Sequence, residues 1–145
     1  MTLEIDSSTG YLPPGAHTVT WGQLVDLCGG NSHRLSLLVG LKNALLNLKS
    51  AGCKVVLIDG SFVSDKQLPN DYDGAWDTSG VDPNLIDVIL LTFDAGRKTM
   101  KAKYGGELFP SSGLAEPGQT YWEFFQTDRD GNPKGVLLVE LGSMV

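Results

Sequence analysis

The sequence predicts a single mixed α/β (α+β) domain in which a small mixed sheet is flanked by helices. Three observations point to that class. The chain has 145 residues, the size of one ordinary domain, with no internal repeat and no linker. A leucine stripe at three- and four-residue steps within 32–50 marks an amphipathic helix, and a short β-branched run at 54–58 marks a buried strand. The full order reads helix, helix, strand, strand, strand, helix, helix, strand, the pattern of a mixed domain.

Each element follows from local chemistry. Residues 1–17 are rich in Ser, Thr, Gly and Pro and read as an extended N-terminal arm, leaving 18–145 for the domain. Thr20 and Gln23 have capping-box spacing, so a short helix runs through Cys28 and stops at Gly29-Gly30. A longer helix starts near Ser32, with Leu35, Leu38, Leu41, Leu45 and Leu48 on its buried stripe and Arg34, Lys42 and Asn43 on its polar side. Lys54-Val55-Val56-Leu57-Ile58 reads as a central strand ending in Asp59-Gly60-Ser61. Asp71 to Trp76 forms a second strand and residues 87–93 a third. A lysine-bearing helix runs from Asp94 to about Tyr104, where Gly105-Gly106 breaks it. An aromatic helix covers Thr120 to Thr127, a turn covers Asp128 to Pro133, and Val136 to Leu141 is the last strand.

Charge and cysteine content narrow the function classes. Eleven basic against 17 acidic residues give a net charge of −6, which argues against a broad electrostatic grip on nucleic acid or anionic lipid. Cys28 and Cys53 lack CxxC spacing and read as buried thiols in a reducing, cytoplasmic setting. The N-terminal residues have no signal-peptide pattern, and no apolar run approaches the roughly 20 residues of a membrane span.

The chemistry concentrates between residues 54 and 77. A buried strand delivers a Gly60-Ser61 turn, where glycine permits close backbone approach and free N–H groups can cradle phosphate oxygens. Ten residues beyond Ser61, Asp71 and Asp73 stand at i and i+2 on a strand and so project to one face. Carboxylates that close raise one another's pKa unless a cation lies between them, and magnesium favours such carboxylates together with substrate phosphates. The turn-favouring composition of Pro69-Asn70-Asp71-Tyr72-Asp73-Gly74 is the structural alternative.

A strand ending in Gly60-Ser61 followed by Asp71-Tyr72-Asp73 resembles the signature of the DNA polymerase β-type nucleotidyltransferase superfamily. In size the chain is similar to its minimal nucleotidyltransferase branch, common in toxin–antitoxin pairs. The stretches Gly60-Ser61-Phe62, Asp71 to Asp77, Tyr104-Gly105-Gly106-Glu107 and Phe124 to Arg129 are also similar to a bacterial family of uncharacterised small proteins. The superfamily signature spans residues 54 to 94. The sequence departs from it at Asp59, where a hydrophobic residue is usual, and at Gly74-Ala75, where bulkier strand residues are usual.

The resemblance implies a nucleotidyltransferase-like domain that moves a nucleoside monophosphate from a nucleoside triphosphate to a protein or RNA hydroxyl. Asp71 and Asp73 would hold Mg2+, and Gly60 and Ser61 would seat the triphosphate. A third carboxylate on a later strand completes such a site. Asp87, acidic within the apolar run Leu85 to Ile89, fits best; Glu140 in Leu138 to Leu141 rivals it, and the remaining alternative is that neither belongs. Lys98 and Lys101, clustered with Arg97 and Lys103, are candidate phosphate ligands or a solvated helix face. Partners on this basis are a nucleoside triphosphate and a cognate toxin or antitoxin protein or an RNA end, with no membrane. The alternative is a catalytically weak binding module on the same fold. His17 and His33 are isolated, and Asp128 to Asn132 lacks the closing glutamate of a calcium loop because Val139 stands there.

Overall fold

The computed structural model describes residues 3–144. Strands β1 (Gly15–Val19), β2 (Val55–Asp59), β3 (Tyr72–Trp76), β4 (Gly106–Pro110) and β7 (Gly135–Glu140) form one mixed sheet in the order β1-β7-β2-β3-β4. The pairs β1–β7 and β3–β4 are parallel, and β7–β2 and β2–β3 are antiparallel. Strands β5 (Leu114–Glu116) and β6 (Gln119–Thr120) make a separate hairpin. Helices α1 (Trp21–Cys28), α2 (Ser32–Ser50), α3 (Lys98–Tyr104) and α4 (Tyr121–Gln126) flank the main sheet. The mixed α/β class expected from the sequence is the class observed.

The alternation of strand side chains sorts the core onto two faces. Val56, Ile58, Tyr72, Trp76, Leu108, Leu137 and Val139 pack with the leucines of α2 in the larger core. Leu57, Ala75, Phe109 and Val136 face the other way and pack with Phe125, Tyr121 and Trp122 of α4. Both N-terminal capping boxes form. Thr20 and Gln23 close the start of α1, and Thr120 and Glu123 that of α4.

Four expectations are corrected. The arm over 1–17 gives way at Gly15 to β1, which pairs with β7; Pro13-Pro14 directly precede the strand rather than marking a free tail. The strand expected over 87–93 is instead a 3-10 turn at Val88–Leu91. Of those four residues only Leu90 is fully buried, and Val88 is 69% exposed, so the run has no sheet to cover. The helix expected from Asp94 begins with a separate 3-10 turn, and α3 starts only at Lys98. On α2, Leu38, Leu41, Leu45 and Leu48 are buried as expected, but Leu35 is exposed and Arg34 is buried. At about 100° per residue, Arg34 sits at the centre of the arc of those four leucines, and Leu35 lies roughly 100° from that centre, outside the arc.

Candidate metal and nucleotide site

One end of the sheet gathers charge on the α4 face. Asp59 ends β2, and the antiparallel register sets it opposite Asp73 on β3. The parallel register then sets Asp73 beside Glu107 on β4. These three side chains share the face that carries Leu57, Ala75 and Phe109 two residues further along their strands. Asp71 precedes β3 and joins the group. Ligand oxygens of Asp71, Asp73 and Glu107 all lie within 4.8 Å of one another. Cations bracket the row: Lys101 Nζ is 2.8 Å from Glu107 and 3.4 Å from Asp71, Arg97 is 3.6 Å from Glu107, and at the other end Lys134 Nζ is 2.6 Å from Asp59.

Like charge and burial act together on the central member. Burial pushes the Asp73 carboxyl up to about 7, with Asp71, Glu107 and Asp59 adding to the rise and Lys101 opposing it. The Lys101 ammonium is raised by its bond to Glu107 and by Asp71. The donor set is all oxygen, with no His or Cys, and so fits a hard divalent cation such as Mg2+. Such an ion would oppose both the burial and the repulsion that raise the Asp73 carboxyl.

The Gly60-Ser61 turn abuts this cluster, as the sequence leads one to expect from the pairing of β2 with β3. Gly60 has φ +92°, and a Cβ built on it would lie 2.9 Å from Asp73 Oδ2. Only glycine fits both the backbone conformation and the space. The helix start anticipated after Gly60 is a single 3-10 turn, Ser61–Val63. Gly74, one of the two departures from the superfamily pattern, is likewise a packing requirement, because a Cβ there would lie 2.1 Å from the Leu57 carbonyl oxygen.

The turn is fixed from behind by Arg34, which sequence reasoning placed on the polar side of α2. Its guanidinium donates to the carbonyls of Cys28 at 3.0 Å, Phe62 at 2.7 Å, Ser64 at 2.7 Å and Lys66 at 2.6 Å, and lies 5.4 Å from the centre of the Phe62 ring. A buried arginine whose donors meet loop carbonyls and the carbonyl at the end of α1 ties residues 61–66 to that helix in one shape. The available signal was its angular position among the leucines of α2.

The remaining candidates fall elsewhere. Asp87 is not the third carboxylate. It caps the turn at Val88–Leu91 by accepting from Ile89 N, and pairs with Lys103 Nζ and the Tyr104 hydroxyl. Those partners hold its carboxyl down at about 2. Glu140 is exposed on β7 opposite Val55, at the end of β2 remote from Asp59. The third carboxylate is Glu107, on a strand hidden behind the Gly105-Gly106 break. Of the two lysines expected to meet phosphate, Lys101 reaches the cluster. Lys98 lines a shallow depression with Ile89, Thr99, Ala102 and Lys103. His17 and His33 bond the backbone carbonyls of Pro13 and Pro69. Cys28 and Cys53 are free and buried, with thiols pushed up to about 12 and about 11 chiefly by burial. No helix among the described residues is long and apolar enough to cross a membrane.

Residues 3–140 match the family of unknown function DUF6932, and the chain belongs to that family. No curated protein and no solved structure matches it significantly.

Proposed function

We propose that this member of the DUF6932 family is a magnesium-dependent nucleotidyltransferase, moving a nucleoside monophosphate from a nucleoside triphosphate to a hydroxyl with release of pyrophosphate. The observation that carries the proposal is the set Asp71, Asp73 and Glu107, gathered within 4.8 Å and flanked by Gly60. In support of the reading, Asp71 just before β3, Asp73 on β3 and Glu107 on the later strand β4 lie beside a Gly-Ser turn.

The roles divide by position. Asp71, Asp73 and Glu107 would hold Mg2+, whose chemistry there is neutralisation of triphosphate oxygens and polarisation of the attacked phosphorus. Gly60 and Ser61 seat the triphosphate, with Arg34 keeping their loop in place. Lys101, within reach of two of the carboxylates, would contact phosphate oxygen beside them. In the transfer a bond forms between the acceptor oxygen and the α-phosphorus. The bond from that phosphorus to the bridging oxygen breaks, its electron pair leaves with pyrophosphate, and the acceptor proton goes to a carboxylate of the row. The acceptor is a protein or RNA hydroxyl, in the setting of a toxin–antitoxin pair. The two buried free thiols suit a reducing, cytoplasmic compartment.

One observation favours a second reading, a catalytically weak binding module of the same fold. The Lys101 ammonium bridges Asp71 and Glu107 and so neutralises the cluster from within. Incubation with nucleoside triphosphates labelled at the α-phosphate, with and without Mg2+, separates the two. Magnesium-dependent labelling of a partner protein or RNA supports transfer. Nucleotide binding without labelling supports the module.

A further inference from the structure

Beside the acidic cluster an aromatic stack runs out of the smaller core to an exposed end. Tyr121 and Phe109 stack with centroids 4.2 Å apart and planes 7° from parallel. Phe93 continues the stack on Phe109 at 5.9 Å and 13°, yet is 48% exposed. Phe109 and Glu107 are two residues apart on β4, so they share a face at a spacing of roughly 7 Å by strand rise. Phe109, the member of the stack next to the carboxylates, is therefore about one ribose away from them, and Phe93 stands one ring further out.

Arg97 joins the two. Its guanidinium lies 5.8 Å from the centre of the Phe109 ring and 3.6 Å from Glu107. Lys101 already holds Glu107 at 2.8 Å, so the longer Arg97 contact is the weaker of the two. Arg97 Nε is buried with no hydrogen-bond partner among the described residues. Arg97 is also the one non-glycine residue with positive φ among them, at 51°, directly after Gly96 at 63°. A left-handed arginine with an unmet donor is an unfavourable arrangement for a residue serving only a surface pair. It suits a guanidinium held ready for an anion, because its planar fork matches phosphate oxygens.

We propose that Phe93 and Arg97 form the nucleoside subsite of this centre: the base stacks on the open face of Phe93, and Arg97 binds the phosphate chain that runs from it to the carboxylates. The inference rests on the nucleotidyltransferase reading and specifies how it recognises its donor. Because every base has a π-face, stacking of this kind tolerates all four bases.

The test compares nucleoside triphosphates with inorganic tripolyphosphate, each with Mg2+, by isothermal titration calorimetry. The wild-type protein is expected to bind the nucleotides about tenfold or more tighter than tripolyphosphate, the increment typical of one stacked base. Phe93→Ala removes that increment and leaves tripolyphosphate affinity unchanged; its site is half-exposed, so the fold tolerates the truncation. Phe93→Trp retains the increment, and its indole emission is quenched on nucleotide addition. Arg97→Ala weakens both ligands, and Arg97→Lys restores part of the loss. Equal nucleotide affinity in wild type and Phe93→Ala, or no quenching in Phe93→Trp, overturns the subsite while leaving the catalytic reading intact. Failure of the wild type to bind both ligands overturns both.

Discussion

Asp73 and Glu107 stand side by side in register on the parallel strands β3 and β4, and Asp71 joins them so that all three carboxylates lie within 4.8 Å. Glu107 follows Asp73 by 34 positions in the chain, yet the parallel register sets the two side by side. Helix α3 is the device that closes the gap, since it returns the chain to the edge of β3 and carries Lys101 over the cluster.

Substitution should sort the acidic residues by this geometry. Asp71→Asn, Asp73→Asn and Glu107→Gln are each expected to lower magnesium-dependent transfer by about a hundredfold or more, the scale of losing one transition-state charge stabiliser. Asp87→Asn and Glu140→Gln should leave turnover within about twofold of wild type, with Asp87→Asn showing only a lower melting temperature from loss of its cap and its bonds to Lys103 and Tyr104. Steady-state assay of the five purified variants checks this. Normal turnover in Glu107→Gln would remove it from the site.

The difficulty of reading Glu107 from sequence is physical. Gly-Glu-Leu-Phe-Pro has no β-branched residue and follows a glycine pair that stops a helix, so nothing local marks β4. Its pairing with β3 is set by non-local register. Residues 87–93 mislead in the opposite sense, because an apolar run looks like a strand although its backbone is held by the Asp87 cap. By contrast β2, Gly60-Ser61 and Asp73 were legible, since a buried apolar run, a glycine turn and an i, i+2 carboxylate pair are all local features. Arg34 was misplaced because charge outweighed its angular position among the leucines of α2.

The elevated carboxyl of Asp73 should be visible in the pH dependence of stability. Its folded value of about 7 lies above the ordinary 3.8, so the folded state retains a proton that the unfolded state has lost between those values. Unfolding free energy therefore falls as pH rises from about 4 to about 7, and the decline is absent in Asp73→Asn. Asp87 behaves oppositely. Its value of about 2 lies below 3.8, so its contribution is present above about pH 4 and is lost as pH falls through 2. Urea unfolding across pH 2–8, without divalent metal, for wild type and the two variants measures both slopes. A wild-type curve parallel to that of Asp73→Asn between pH 4 and 7 would contradict the assignment.

Arg34 is expected to govern the loop at long range from the chemistry. Arg34→Met removes donors to the carbonyls of Cys28, Phe62, Ser64 and Lys66 and leaves those acceptors unmet, a loss on the order of 3 kcal/mol. Arg34→Lys recovers little, because a single ammonium cannot reach four carbonyls set in a fork. Denaturant unfolding gives the stability change, and hydrogen exchange over residues 61–66 reports the loop. Protection there equal to wild type would show that Arg34 is dispensable to its shape.

The most direct measurement of the central claim is ligand-linked stability at the three-carboxylate cluster. Unfolding is followed with Mg2+ and a nucleoside triphosphate at about a hundredfold excess over Kd, for wild type, Asp73→Asn, Glu107→Gln and Asp87→Asn. Wild type and Asp87→Asn are expected to gain about 2 to 3 kcal/mol, and Asp73→Asn and Glu107→Gln to gain almost nothing. No gain in wild type, or an undiminished gain in Asp73→Asn and Glu107→Gln, would contradict a metal–nucleotide site at Asp71, Asp73 and Glu107.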